Sequence, residues 1–352
     1  MPDAVLGIDV SKNTFDASLG AGCQQNGLTD MQKARWLSAL LAIAVTFIAL
    51  DRQLAAEELK AIEVPGDRAF TESITAGPDG TLYLSSLASG GIARVKPGAS
   101  KAEAWIAPGA FESRSTFGVL ADAKSNTLWV CSNDVSSRGV AGPGSATGSH
   151  LKGFDLATGD GKISAQFPGK TNLCNDMTVA SDGTVYVTNS LAPQILQLKP
   201  GRKALAVWVE DQQFQPPSGA GLDGIAIGGD GNIYVNTFNG GEFFRVEVKG
   251  GMPGAVTKLE TSRPLKLPDG LRQLSGESFL MAEGSGSLDR VTVDGDKVTV
   301  ETLKDGLKEP TAVAKVGGTA WVAEGQLSHL FGAKDNGPPH LPFEIVPVAI
   351  GN

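Results

Sequence analysis

The stretch MTVASDGTVYVTNSLAPQILQLKPG (177–201) decides the fold, because the chain repeats its plan. ITAGPDGTLYLSSLASGGIARVKPG (74–98) and IAIGGDGNIYVNTFNGGEFFRVEVKGG (225–251) follow the same order. Each reads as an alternating strand, an Asp-Gly turn, a second strand of the V-Y-V or L-Y-L type, a polar loop, and a third strand ending at Lys-Pro-Gly or Lys-Gly-Gly. Asp-Gly between alternating apolar runs signals a hairpin, since such turns need a positive φ that Gly adopts freely. Weaker copies lie at VLADAKSNTLWVCSND (119–134), GLRQLSGESFLMAEGSGSLDRVTV (270–293) and AVAKVGGTAWVAEGQLSHLFG (312–332).

Aligning one second-strand residue per copy gives Tyr83, Trp129, Tyr186, Tyr234, Leu280 and Trp321, roughly 41 to 57 residues apart. Six units of this length predict an all-β, six-bladed β-propeller of four-stranded antiparallel blades, spanning 57–352 as one domain. LKAIEV (59–64) and FEIVPVAI (343–350) are the candidates to complete the last blade. The widest spacing is caused by a Gly/Ser/Pro-rich insertion, SNDVSSRGVAGPGSATGSH (132–150). It reads as a mobile surface loop, with a lid over one end of the propeller as the sharper alternative.

Composition fits this reading. The 352 residues hold 45 Gly and only 19% charged residues, which suits a β protein rich in tight turns. A formal net charge of −8 leaves no basic surplus for phosphates, so no nucleic-acid partner is expected. In MQKARWLSALLAIAVTFIAL (31–50), Lys33 and Arg35 precede a short apolar run, the pattern of a secretory signal; 31–56 is read as that signal. The expectation is a periplasmic or secreted protein without stable membrane insertion after cleavage, an uncleaved anchor being the alternative. Ahead of it, VLGIDVSKNTFDASLG (5–20) resembles the opening of insertion-sequence transposases, in which a strand carries a metal-binding Asp, here Asp9. No downstream acids complete such a site, so residues 1–30 are set aside as a remnant or misassigned start. Cys131 and Cys174 are expected to be free, partly buried thiols, with a bridge permitted in an oxidising compartment as the alternative, and no C-x-x-C spacing supports a redox or zinc motif.

The chemistry sits where the innermost strand of each blade begins. Two residues ahead of its first core residue stand Glu72, Phe117, Asn175, Asp223, Asp269 and Pro310, the last beside Glu309. Four of these side chains carry oxygen and converge on one axis. Three carboxylates and a carboxamide crowded together repel unless a cation sits among them. An all-oxygen set favours calcium. The alternative is that each acid only caps its own strand or turn.

These residues resemble the ring of the gluconolactonase and senescence-marker-protein (regucalcin-like) family, six-bladed propellers with a divalent metal in the central channel. The family has a Glu from the first blade, Asn in N-D-G, Asn in N-G-L and Asp in P-D-G-M. Here the matching residues are Glu72 in TESI, Asn175 in NDM, Asp223 in DGI and Asp269 in PDGL. Asp223 departs from the family's Asn and adds negative charge. The resemblance implies hydrolysis of a small-molecule lactone or related ester, with Ca2+ polarising the carbonyl and Asp269 as the base that activates water. Asn133, Asn189, Asn236, Glu283 and Glu324, at second-strand ends, are candidates to grip sugar-like hydroxyls, or ordinary polar loop residues. The histidines, His150, His329 and His340, lie outside the ring positions, and no G-x-S-x-G elbow occurs. The rival readings are an exported binding module riveted by structural calcium, and an interaction scaffold without metal.

Overall fold

In the computed structural model, residues 59–331 and 336–351 are described, together with the strands Leu6–Asp9 and Asp16–Leu19. Those two strands pair antiparallel as a small hairpin in one unit, and residues from Lys60 onward form a second, compact unit. The signal-like segment 31–56 and most of 1–30 lie outside the described residues.

The second unit is a ring of six antiparallel sheets. Blade one runs Ile74–Ala76, Leu82–Ser85, Ile92–Val95 and Glu103–Ile106. Blade two runs Ser115–Asp122, Thr127–Asn133, Ser149–Asp155 and Gly161–Gln166. Blade three is Cys174–Val179, Val185–Asn189, Gln194–Leu198 and Ala206–Glu210. Blade four is Leu222–Ile227, Ile233–Thr237, Glu242–Lys249 and Met252–Lys258. Blade five is Pro268–Ser275, Ser278–Glu283, Ser287–Asp294 and Lys297–Lys304, with the short Glu260–Thr261 added in parallel at its edge. Blade six closes the ring from both ends of the unit. Pro310–Val316, Thr319–Glu324 and Phe343–Ala349 come from its end, and Ile62–Val64 from its start pairs antiparallel with Phe343–Ile345.

The repeats form these sheets for local reasons. Gly80, Gly183 and Gly231 take φ of 82°, 87° and 79° in the turns. The Asp before each accepts a hydrogen bond from the backbone N–H two residues on, at 3.0, 2.8 and 3.0 Å for Asp79, Asp182 and Asp230. Second strands are buried along their whole length in blades one to four, because each sheet is packed between two neighbours. Their aromatics pair within and across sheets: Tyr83 meets Trp105 and Tyr186 meets Trp208 inside their own blades, and Tyr234 meets Phe279 of the next blade, with ring centroids 4.8–4.9 Å apart.

One expectation changes. The thiols are not free: Cys131 and Cys174 are joined, with Cα atoms 5.2 Å apart, a separation suited to a disulfide. The second strand of blade two and the first strand of blade three bring them together across a blade border. The insertion packs on the start of its own blade and, through Pro143, beside Gly90 of blade one. Gly142 and Gly144 pack on the backbone of Ser115 and Ser113, leaving no room for a Cβ. Arg114 reaches Asp134 at 3.2 Å, and Ser145 bonds Glu112.

Candidate metal centre

The first strands do not enter the channel as plain alternating strands. The register slips between Thr116 and Val119, Cys174 and Met177, Leu222 and Ile225, Pro268 and Leu271, and Pro310 and Ala312. A bulge of this kind adds a residue and re-aims side chains. It explains the Gly that follows each ring residue in blades two, four and five. A Cβ on Gly118 would lie 2.1 Å from the Asn175 carbonyl oxygen, on Gly224 2.4 Å from that of Asp269, and on Gly270 2.8 Å from that of Thr311. The Asp-Gly pairs at 223–224 and 269–270 are therefore close approaches between blades rather than turns.

The structure brings all four predicted ligands together. Glu72, Asn175, Asp223 and Asp269 are each 4–5% exposed. One carboxylate oxygen each from Glu72, Asp223 and Asp269 lie within 4.8 Å of one another. Asn175 donates through Nδ2 to Asp223 Oδ2 and to Ser190 Oγ, both at 2.8 Å, which leaves its Oδ1 free. Ser190 is fixed in turn by donating to the Leu222 carbonyl at 2.6 Å. Among the described residues, three buried oxygens of the ring then have no partner: Glu72 Oε2, Asn175 Oδ1 and Asp223 Oδ1. Orphaned buried acceptors are costly, about 1–3 kcal/mol each.

Protons respond to the crowding. Burial, followed by the charges of Asp223 and Asp176, holds Glu72 well above the usual carboxylate range, and Arg272 opposes this. Burial pushes Asp223 up to about 7, against stabilising hydrogen bonds from Asp269 and Asn175. Asp269 is raised well above its ordinary value by burial, then by Asp223 and Glu72. The donor set is all oxygen, buried, short of hydrogen-bond donors and rich in negative charge, so it fits a hard divalent cation. The two remaining positions are filled otherwise. Phe117 is buried, and Glu309 turns aside to accept from the Ser328 backbone N–H at 2.8 Å and from its hydroxyl.

The second-strand residues are buried and engaged with the scaffold. Asn133 donates to the Cys174 carbonyl at 2.8 Å and accepts from the Cys174 N–H at 3.0 Å. Asn236 donates to the Asp269 carbonyl at 2.7 Å and accepts from the Gly224 N–H at 2.9 Å. Asn189 accepts from the Leu173 N–H and donates to Asn172. Glu283 takes both its oxygens to Arg263 at 3.0 Å, and Glu324 accepts from the Lys308 N–H at 2.8 Å. Asn133 and Asn236 thus clasp the backbone beside three ring residues, Asn175, Asp223 and Asp269.

Sequence reasoning missed Asp176 and Arg272, which meet one step further along the channel. Their ion pair is bidentate, at 2.5 and 3.0 Å. The available signal was a charge in each of two otherwise apolar strand starts, NDMTV and GLRQL. A cavity of about 640 Å3 opens at the far ends of the same strands, lined by Leu120, Val179, Ile227, Leu271 and Arg272 among others. It gathers no set of carboxylates, so the ring is the better candidate for chemistry.

No family model matches the chain, and no curated protein matches it. Solved structures do. The calcium-binding protein regucalcin from Agrobacterium tumefaciens is 16% identical, covering 83% of this chain and 96% of its own, with a TM-score of 0.57. A gluconolactonase from Xanthomonas campestris is 17% identical over 73% of this chain and 83% of its own, with a TM-score of 0.56. Virginiamycin B lyase from Staphylococcus aureus is 14% identical over 75% and 80%, with a TM-score of 0.53. At these identities the likeness establishes the propeller fold. Nothing in the comparisons supports the transposase likeness of residues 5–20.

Proposed function

We propose that this propeller is a lactonase-type hydrolase whose ring of Glu72, Asn175, Asp223 and Asp269 holds one divalent cation, Ca2+ by the chemistry of the donors. The observation that carries the reading is the convergence of three unpartnered buried oxygens, on Glu72, Asn175 and Asp223, with a third carboxylate, that of Asp269. Gluconolactonase and regucalcin among the structural neighbours support it. A bound cation would supply Lewis-acid polarisation of an ester carbonyl and stabilise the developing oxyanion.

The chain's own groups supply the rest. Asn175 is held with its carbonyl oxygen free by Asp223 and Ser190, and Asn236 fixes the backbone of Asp269. Asp269 lies beside Asp223 and Glu72, and burial together with their charges raises its carboxyl when the ring is uncompensated. Once ionised, its carboxylate can take a proton from a water that attacks the ester carbon. The acyl C–O bond then breaks, the ring oxygen takes a proton, and a hydroxy acid leaves. The Cys131–Cys174 bridge supports an oxidising location, in line with the export signal read at 31–56.

Asp269→Asn tests the enzyme reading against a riveted binding module. Hydrolysis of gluconolactone and related esters should fall by about 10²–10⁴-fold while the fold is kept. Wild-type protein that binds calcium yet hydrolyses no lactone or ester in a broad screen would favour the binding module instead.

A further inference from the structure

The Arg272 guanidinium lies within 3.5 Å of five oxygens drawn from four blades. Nη1 donates to Asp176 Oδ2 at 2.5 Å and to the Leu271 carbonyl at 2.8 Å. Nη2 donates to Asp176 Oδ1 at 3.0 Å, and makes long contacts with the Val119 carbonyl at 3.4 Å and Ser73 Oγ at 3.5 Å. Among the described residues, its Nε–H alone finds no partner. A carboxylate, two backbone carbonyls and a hydroxyl are a hard, all-oxygen set, the donor chemistry that calcium selects. Here a side chain, tethered to blade five, occupies their centre.

Charge makes the arrangement more than packing. Glu72, Asp176, Asp223 and Asp269 are all at most 5% exposed and share the channel. Among the described residues, Arg272 is the cation that pairs with this group. One divalent ion at the ring plus one guanidinium beneath it leaves four acids with three positive charges, close to balance. Without the guanidinium, Asp176 would be a buried carboxylate with no counter-charge, a state far more costly than either the intact pair or a neutral replacement of both.

We propose that Arg272 is a built-in cation that fills an all-oxygen cage below the ring, so that the channel takes one divalent ion rather than two. The proposal rests on the metal reading of the ring.

The test counts ions on the full chain, by calorimetric calcium titration and by metal analysis after gel filtration. Wild type should bind one equivalent. Arg272→Ala, which removes the charge and opens the space, should bind one equivalent more than wild type, and its melting temperature should become more calcium-dependent. Arg272→Met combined with Asp176→Asn removes both charges and should return to the wild-type count. A folded Arg272→Ala protein with the wild-type count and affinity overturns the proposal. So does an Arg272→Ala protein that folds at no calcium concentration while the double variant folds. Wild type with no bound ion refutes the ring reading instead. The cage is then judged by whether Arg272→Ala still gains one equivalent over wild type.

Discussion

The ring makes the metal-free protein lose stability as pH rises, contrary to the usual effect of paired surface carboxylates. Burial pushes the Asp223 carboxyl up to about 7, from an ordinary value of 3.8. The folded state therefore holds its proton longer than the unfolded chain. The resulting stabilisation is fully present below the unfolded value and disappears as pH rises through 7. One raised group changes stability by about 1.4 kcal/mol per pH unit inside that window. Between pH 5 and 7.5 the loss from Asp223 alone comes to roughly 2.5 kcal/mol. Glu72 and Asp269 shift in the same direction and add to it. The surface acids held low by turn hydrogen bonds, Asp79, Asp155 and Asp182, are ionised in both states above pH 5 and stay silent. His150, lowered by burial, acts with the opposite sign in this range, so a reference is needed. The assay is urea unfolding at pH 5 and 7.5 with chelator, comparing wild type with Asp223→Asn. Wild type should lose stability relative to the variant, and saturating calcium should abolish the loss, because the ring is then ionised throughout. A chelated wild type as stable at pH 7.5 as at pH 5, relative to Asp223→Asn, would refute the reasoning.

Three further outcomes are expected. Calcium at a hundredfold excess over its dissociation constant should stabilise the protein by about 2.7 kcal/mol by linkage, and Glu72→Gln should abolish most of the shift in a melting experiment with and without chelator. Replacing Cys131 and Cys174 with Ser opens a bridge across 43 residues, worth about 4 kcal/mol in the chain-entropy account; denaturant midpoints of oxidised wild type and the double variant check this. Gly224→Ala would place a Cβ 2.4 Å from the Asp269 carbonyl, so blade five must shift by a fraction of an ångström or more; calcium affinity measured by calorimetry should drop at least tenfold, a modest loss for a ligand displaced in a fixed ring.

Much of this was legible because a propeller repeats itself. Asp-Gly turns, the V-Y-V strands and their spacing place six blades without reference to tertiary contacts, and an aligned position in each blade finds Glu72, Asn175, Asp223 and Asp269. What stayed hidden depends on register and on partners across blade borders. A strand of period two places Asn175 and Asp176 on opposite faces, which conceals Asp176. The bulge between Cys174 and Met177 turns both into the channel, Asn175 toward Asp223 and Asp176 toward Arg272. Likewise Asn133 and Asn236 read as polar strand ends free to meet a substrate, because their partners, the Cys174 and Asp269 backbones, belong to the next blade.

The same contacts favour the proposed metal ring over a set of independent strand caps. If each acid capped its own strand, its oxygens would be satisfied by nearby backbone N–H groups, as Asp79, Asp182 and Asp230 are in the hairpin turns. At the ring, the glycines that follow Asp223 and Asp269 serve close blade packing, and the Gly224 N–H goes to Asn236 instead. The polar groups that hold the backbone are supplied by second strands, which leaves the first-strand side chains unspent. Six strands brought this near to one axis concentrate negative charge where no water-facing surface can dilute it. A sequence that places Glu72, Asn175, Asp223 and Asp269 there, and leaves one buried oxygen without a partner on three of them, supports the cation site we propose.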